Sequence, residues 1–574
     1  MMRFRLPKPI LVVLAVLIVG GASACLKKNP ADLVLTNGKI ITMEGAAPVV
    51  EALAATGGRI VAVGTAKKIG RYVGPSTRRV DLKGRTAIPG FIDSHAHFTG
   101  VGEARLILDL TKARNWDEIV ALVAEAAAKA EPGEWIRGRG WHQEKWDKRP
   151  EPNVDGLPFH DQLSAVTPQN PVFLEHASGH SCLANAKAME LGGVTGKTAD
   201  PPGGEIVRDA RGNPIGAFRE TAQGFIGVPL RSAEMRKTEA ERAEKEREAM
   251  QLAAEECLSK GITSVHDAGA SFETIDLYKS LAEQGKLGVR IYAMISAENA
   301  ELKRRLSQYR IIGAVQDHLT VRAIKKLLDG ALGAHGAWLL EPYSDLPGST
   351  GLSTTPPEEL KETARLAIEN DFQLCTHAIG DRANRELLDI YEQTFAAHPE
   401  KGDVRWRVEH AQHLSLQDIP RFGRLGVIAA MQGIHCTSDG PWVIAKLGEQ
   451  RAREGAYAWR SIMEGGGLIC NGTDAPVEDI NPIPSFYSTV TRMMANGKRF
   501  YPEQCLSREE ALRTYTLNGA YAAFQEDLLG SLKPGKLADI AVLSEDIMTV
   551  PEAEIPAATV LMTIVGGQVL YEKD

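Results

Sequence analysis

His95-Ala-His97 sets two imidazoles two residues apart at the end of an apolar, β-rich run. In a strand such residues face the same side and can meet one cation. Taken alone, the pair equally describes two structural histidines near a turn. Similar runs end at His377, His410 and Asp474, and others at His266-Asp267, Lys325 with Asp329, and Gln432. Imidazole nitrogen with carboxylate oxygen is the donor set of a borderline-soft divalent ion such as zinc. Each histidine by itself reads as a hydrogen-bonded core residue, but together they predict a metal site. A metal ion lowers the pKa of bound water to near ~7, which supplies hydroxide for attack on a carbonyl.

Such residues need a scaffold that gathers strand ends. The runs at 86–92, 262–265, 289–295, 321–328, 372–375, 404–408, 427–431 and 467–470 alternate with helical stretches such as 358–369 and 382–397. Eight βα units predict a TIM-type (β/α)8 barrel, an α/β fold whose active site lies at the C-terminal strand ends. Residues 31–88 read as β, with an Asn37-Gly38 hairpin turn and a second glycine pair at Gly57-Gly58. Residues 525–574 read the same way around Gly566-Gly567, so both chain ends are expected to build one small β-sandwich domain, with the barrel at 89–524. Residues 135–227 are rich in Gly, Pro and Trp and too long for an ordinary loop, which predicts an inserted lid subdomain. Residues 234–260 read as one charged helix with a solvated face.

Pro89-Gly-Phe-Ile-Asp-Ser-His-Ala-His97 resembles the opening motif of the amidohydrolase superfamily. Lys325-x-x-x-Asp329-Gly-Ala-Leu-Gly333, Thr376-His-Ala-Ile-Gly-Asp381, Glu409-His-Ala-Gln412 and Gly472-Thr-Asp-Ala-Pro476 resemble the branch holding the YtcJ-like proteins and N-substituted formamide deformylase. The resemblance implies that His95 and His97 hold one metal, that His377 and His410 hold a second, and that an N-carboxylated Lys325 bridges two zinc ions. It implies that Asp474 binds the first metal and moves protons as the catalytic residue. An uncarboxylated Lys325 over one metal is the alternative. Lys326 faces away by strand alternation. Weaker substrate contacts are His180, His435, Gln432 and the Gly140–Trp146 stretch with Trp141, together with Trp338, and Asp329 reads as a support for a ligand histidine. Two departures from the family pattern are Gly433 after Gln432, where Pro is common, and His142, where Asp is frequent.

The implied activity is metal-dependent hydrolysis of a C–N bond, amide in type, in a small molecule. The alternatives are an N-acyl amino acid or dipeptide hydrolase and, from another class, a catalytically silent surface binding lipoprotein. An intact ligand set argues against the last. The 574 residues are 44% hydrophobic and 24% charged, a soluble globular composition with no basic excess, so nucleic acid is excluded as a partner. Arg3, Arg5 and Lys8 precede an apolar run and Ala22-Ser23-Ala24, which reads as a signal peptide over residues 1–24. Cys25 follows as a candidate lipidation site, which predicts an exported, periplasmic or outer-membrane-anchored lipoprotein that touches the membrane only through its lipid. Removing residues 1–24 deletes three cations and no acid, taking the net charge from −7 to near −10. The other six cysteines lie far apart and form no CxxC pair. A homodimer is the assembly kept in view.

Overall fold

Eight parallel strands follow one another around the barrel in sequence order. They are β1 (Phe91–Ala96), β2 (Ile262–Ala270), β3 (Arg290–Ile295), β4 (Leu319–Leu327), β5 (Gln373–Ala378), β6 (Arg407–His410), β7 (Ile428–Gln432) and β8 (Leu468–Gly472). The structure is a computed structural model that describes residues 30–573, so the expected signal peptide over residues 1–24 and Cys25 lie outside the described residues. Side chains alternating inward, among them Tyr292, Met294, Ala323 and Cys375, fill the barrel interior. Just past the ends of β8 and β1 the ring is closed by Asp474 N–H donating to the His95 carbonyl and His97 N–H to the Ala475 carbonyl, both at 2.7 Å. Asp93 clamps the same seam by accepting from the Thr473 hydroxyl at 2.6 Å and from His95 N–H at 3.1 Å.

The run expected at 86–92 divides at Gly90. Thr86–Pro89 pairs with the C-terminal strand Ile540–Leu543, and Phe91 begins the barrel. A Cβ on Gly90 would stand 2.3 Å from the Thr263 side chain, so the chain can pass from one layer to the other only without one.

Two sheets form the terminal sandwich. One holds Leu33–Thr36, Ala52–Thr56, Arg59–Gly64 and Arg78–Asp81; the other joins Lys39–Ile41, Val49–Val50 and Thr86–Pro89 to three C-terminal strands. Leu35, Ile40, Leu53, Ile540 and Ile564 pack between them. The Asn37-Gly38 pair is not a hairpin, which corrects the sequence expectation. Leu33–Thr36 and Lys39–Ile41 belong to different sheets, and the chain crosses between layers there. A two-residue type I′ turn needs positive φ at both positions; Asn37 has φ +56, but Gly38 stays outside the left-handed region. Gly57-Gly58 (φ +57, +76) and Gly566-Gly567 (φ +54, +74) meet that requirement, and both close hairpins. A buried Arg290–Asp539 pair, 2.7 and 3.0 Å, ties the sandwich to β3.

The insertion is larger than residues 135–227. Its six-stranded sheet starts with Leu108–Asp109, and helix Trp116–Ala127 packs Trp116, Ile119 and Val123 into the same core as Leu174 and Val207. That helix has an ordinary amphipathic pattern, so composition could not separate it from a barrel helix. The expected helix over 234–260 begins instead at Glu239 and runs to Ser259, because Thr238 and Glu241 make a capping box ahead of it.

Candidate metal centre

β1 delivers His95, which is fully buried. Its Nδ1 is bonded to the Glu409 carboxylate, which leaves Nε2 without a partner. His97 follows the strand as the residue capping helix Phe98–Ala104. The two rings meet edge to face at 5.7 Å. Both Nε2 atoms point at one oxygen, Asp474 Oδ1, at 3.5 and 3.3 Å. Among the described residues Oδ1 accepts no hydrogen bond. Donor atoms of His95, His410 and Asp474 all lie within 4.8 Å of one another.

Residues adjacent in a strand face opposite ways, yet Glu409 and His410 both reach this centre. A left-handed backbone at His410 (φ +75) breaks the alternation. Asp474 is left-handed as well (φ +58). Strain of this kind persists where surrounding contacts over-determine the backbone, and it gathers at functional sites. His410 Nδ1–H donates to Gln432 Oε1 at 2.7 Å, and Gln432 Nε2 donates to the Ala430 carbonyl, so the amide orientation and the imidazole tautomer are set together. Gln432 therefore acts on His410 and is absent from the cleft wall. Gly433 donates its N–H to Asn471 Oδ1 at 2.9 Å, a bond proline would lose, and a Cβ there would meet Thr489 Oγ1 at 2.2 Å.

His377 at the end of β5 lies 4.5 Å, ring to ring, from His410. Its Nε2 has no hydrogen bond and sits 3.5 Å from Asp329 Oδ1. Asp329 accepts the N–H groups of Trp338, Ile379 and Gly380 at 2.8–2.9 Å. Burial outweighs these bonds and lifts its carboxyl to about 7. Lys325 is buried on β4 and makes no hydrogen bond or ion pair among the described residues, whereas Lys326 turns outward to Glu359 at 3.6 Å.

Burial sets the protonation of the cluster. It pushes His95 down to about 4 with help from Lys325, and it holds His377 and His410 well below the ordinary imidazole range. It also lowers the Lys325 amine. Burial opposes charge on Asp474, but the close His97 imidazole and the fields of His410 and His95 prevail and hold its carboxyl well below the usual range. Neutral imidazoles, an anionic carboxylate and a weakly basic amine suit a divalent cation: lone pairs are available, and the buried His95 Nε2 and Asp474 Oδ1 have no other partner.

These groups open into a cleft lined by His97, His180, Lys325, His377, His435 and Asp474 among others. His180 comes from the insertion. Burial disfavours its charge, yet its 2.7 Å contact with Glu220 raises its pKa. Gly330 and Gly336 make room for that carboxylate, because a Cβ on either would lie 2.0 or 2.2 Å from Glu220 Oε1. His435 stacks 6.2 Å from His410 and carries an unpartnered Nε2 3.9 Å from Asp474 Oδ2. Trp141 lies elsewhere, which corrects its placement as a substrate contact. It is fully buried in the insertion core, and its indole donates to the Leu174 carbonyl at 2.9 Å. Trp338 is also off the cleft wall, covered by the Arg382 guanidinium.

Sequence reasoning missed Glu409 and Arg407, a buried pair (Nε–Oε1 2.7 Å) behind His95, and it missed Glu220 and Trp442. A signal for Trp442 existed. His435, Asp439 and Trp442 recur at i, i+4 and i+7 in helix Gly433–Leu447 and so share the face lining the cleft.

Residues 78–571 match the sequence profile of the amidohydrolase family. The chain is 31% identical over 511 residues to a putative amidohydrolase, YtcJ, of Bacillus subtilis (strain 168), covering 88% of this chain and 92% of that one. It is 26% identical over 549 residues to N-substituted formamide deformylase of Arthrobacter pascens, covering 94% and 98%. The crystal structure of an uncharacterized metal-dependent hydrolase from Pyrococcus horikoshii OT3 superposes with a TM-score of 0.72 at 26% identity, over 91% of this chain and 99% of that one.

Proposed function

This chain belongs to the amidohydrolase family and is a hydrolase on a TIM-type barrel, and from that premise we propose that it cleaves a carbon–nitrogen bond, amide in type, in a small molecule. The observation that carries the reading is the meeting of His95 Nε2 and Asp474 Oδ1, both buried and unpartnered, beside His410. His95, His97 and Asp474 would hold one divalent ion, zinc by donor chemistry, and His377 and His410 a second, with a carboxylated Lys325 between them. When bound, such ions supply Lewis acidity and an acidified water.

The protein's own groups do the rest. The buried amine of Lys325 is disfavoured as the ammonium. As a free amine it would add to CO2, forming an N–C bond as one C=O π bond opens and releasing a proton, and the carbamate would offer two oxygens that share one negative charge. Asp474 faces His95 and His97 through Oδ1, and its Oδ2 is free to take a proton from the attacking water and return it to the leaving nitrogen. His435 Nε2 stands beside it to polarise the carbonyl, and Glu220 steadies His180 against the substrate. Export with Cys25 as a lipidated N-terminus is part of the same proposal and rests on residues 1–25.

The test is metal analysis of purified protein followed by turnover of a panel of N-substituted formamides and other amides. About two metal ions per chain with amide turnover lost on chelation is the expected result. A metal-replete protein inert toward every amide and active on esters alone sinks the reading.

A further inference from the structure

The terminal sandwich carries a positive pole on an acidic chain. Residues 65–85 hold seven cations and one acid, Asp81, whereas the whole chain has a net charge of −7. All seven cations are exposed, and among the described residues only Arg78 of them forms an ion pair, with Glu572 at 3.3 Å. Charge asymmetry of this kind points to an anionic partner.

One face gathers four of the seven. On the outer side of the sheet that holds Leu33–Thr36, the residues Val34, Ala52, Ala54 and Ala62 pack with Ile69 and Tyr72, so helix Ala66–Ile69 and the turn Gly70–Tyr72 cover that side. Lys67, Lys68 and Arg71 stand exposed on this cover. Arg79 lies opposite Val34 in the strand pair, and residues directly opposite share a face. Lys68 Nζ donates to the Val63 carbonyl and Arg71 Nε to that of Lys68, both at 2.9 Å, which leaves both charges unneutralised. The acids around them, Asp32, Glu51 and Asp81, accept the N–H groups of Gly57, Ala66 and Lys83. Charge on an edge strand blocks strand addition, a role open to Arg79 but not to the three cations on the helical cover.

The chain enters the described structure on the same face. Ala31 packs in that cluster, its N–H donates to the Tyr72 carbonyl at 2.8 Å, and its carbonyl accepts the Thr77 hydroxyl at 2.7 Å. Pro30 follows Cys25 by five residues, and five extended residues reach ~18 Å at most. A lipid on Cys25 therefore holds the entry point within about two Debye lengths of the bilayer at physiological salt.

We propose that Lys67, Lys68, Arg71 and Arg79 form a docking surface for an anionic bilayer, a second contact that orients the chain beside its lipid anchor. The inference rests on the export reading of residues 1–25 for the presence of the membrane. The acidic remainder of the chain is repelled by the same surface, so the positive pole and the body together select one orientation.

The full chain, purified as cells process it, is mixed with vesicles of phosphatidylcholine made with or without phosphatidylglycerol. Acylation rates of Lys67 and Lys68 are then mapped by mass spectrometry, with the exposed Lys197 of the insertion as reference. Phosphatidylglycerol is expected to slow Lys67 and Lys68 at least about fivefold and to leave Lys197 unchanged, and high salt should restore the rates. Arg71→Gln combined with Arg79→Gln changes two exposed side chains and keeps both reporter lysines. Each cation at an anionic surface is worth about fivefold in binding, so docking should weaken about 25-fold and the protection should nearly vanish. Equal rates in the two kinds of vesicle, or protection that the double variant keeps in full, overturns the docking surface. Protection by heparin, a soluble polyanion, with none from vesicles gives the face to another partner and overturns the membrane assignment. Mass analysis of the N-terminal peptide reads the anchor separately. A lipidated Cys25 with unprotected lysines refutes the docking alone, and protected lysines on an unlipidated chain refute the anchor alone.

Discussion

Glu409→Gln tests the support behind the metal centre without touching a ligand. Glu409 and Arg407 are fully buried and form an ion pair, Nε to Oε1 at 2.7 Å, in which Nη2–H donates to Oε2 at 2.9 Å. The same carboxylate holds His95 Nδ1. Glutamine keeps the shape and removes the charge, so the Arg407 cation loses its one anionic partner among the described residues in a site without solvent. Breaking a buried pair from one side costs ~3–5 kcal/mol. Arg407 retains the Ser94 carbonyl at 2.6 Å and His266 Nδ1 at 3.1 Å, which places the expected loss near the lower end, about 3 kcal/mol. His95 also becomes a weaker donor, because the carboxylate no longer raises its basicity. Removing such a partner lowers metal affinity by about 10- to 100-fold. The assays are urea unfolding of the chelated protein, which reads the ion pair alone, and competition against a chromophoric chelator, which reads the metal. A variant within about 1 kcal/mol of wild type that holds metal equally well would refute the reasoning, since neither the pair nor the carboxylate–histidine contact would then carry its assigned energy.

Asp474→Asn at matched metal occupancy should lose about 10²–10⁴-fold in kcat on an unactivated amide and less on substrates with good leaving groups; near-wild-type turnover removes its proton-carrier role. Lys325→Ala should lower metal content while Lys326→Ala, whose amine faces Glu359, changes it little, and equal effects would mean the assigned register of β4 is wrong. The Glu510 carboxyl is drawn down to about 2, first by Arg460 and with Ser507, against burial. Its contribution is therefore full above the unfolded value of about 4.3 and fades as pH falls toward about 2, so Glu510→Gln should flatten the acid limb of a stability–pH curve between those values. Fatty-acid analogue labelling should tag the wild-type chain in cells and fail on Cys25→Ser; an unlabelled wild type rules out the anchor.

What the sequence determined by itself was whatever depends on local order. Apolar β-rich runs and the helices between them are short-range features, so seven of the eight barrel strands could be placed before any contact was known, the first being run together with the sandwich strand at 86–89, and the strand-end rule then pointed to His95, His377, His410 and Asp474. Glycine pairs at 57–58 and 566–567 made hairpins because the needed left-handed backbone is a property of those two residues. Tertiary structure decided what depends on a distant partner. Asn37-Gly38 carries the same hairpin signal but crosses between sheets, because Leu33–Thr36 finds its partners at 52–56 and 78–81 and Lys39–Ile41 finds its own at 49–50 and 86–89. Helix Trp116–Ala127 joins the insertion because its apolar face is covered there, a fact its own periodicity does not carry. Trp141 and Trp442 are one residue type in two settings. One spends its N–H on Leu174 inside a core and the other leaves its N–H unpaired at a cleft wall, and only the folding of residues far apart in the chain decides which. Glu409 lies beside a predicted ligand in sequence, but its partners, His95 and Arg407, face it only once the barrel has closed and buried all three away from water.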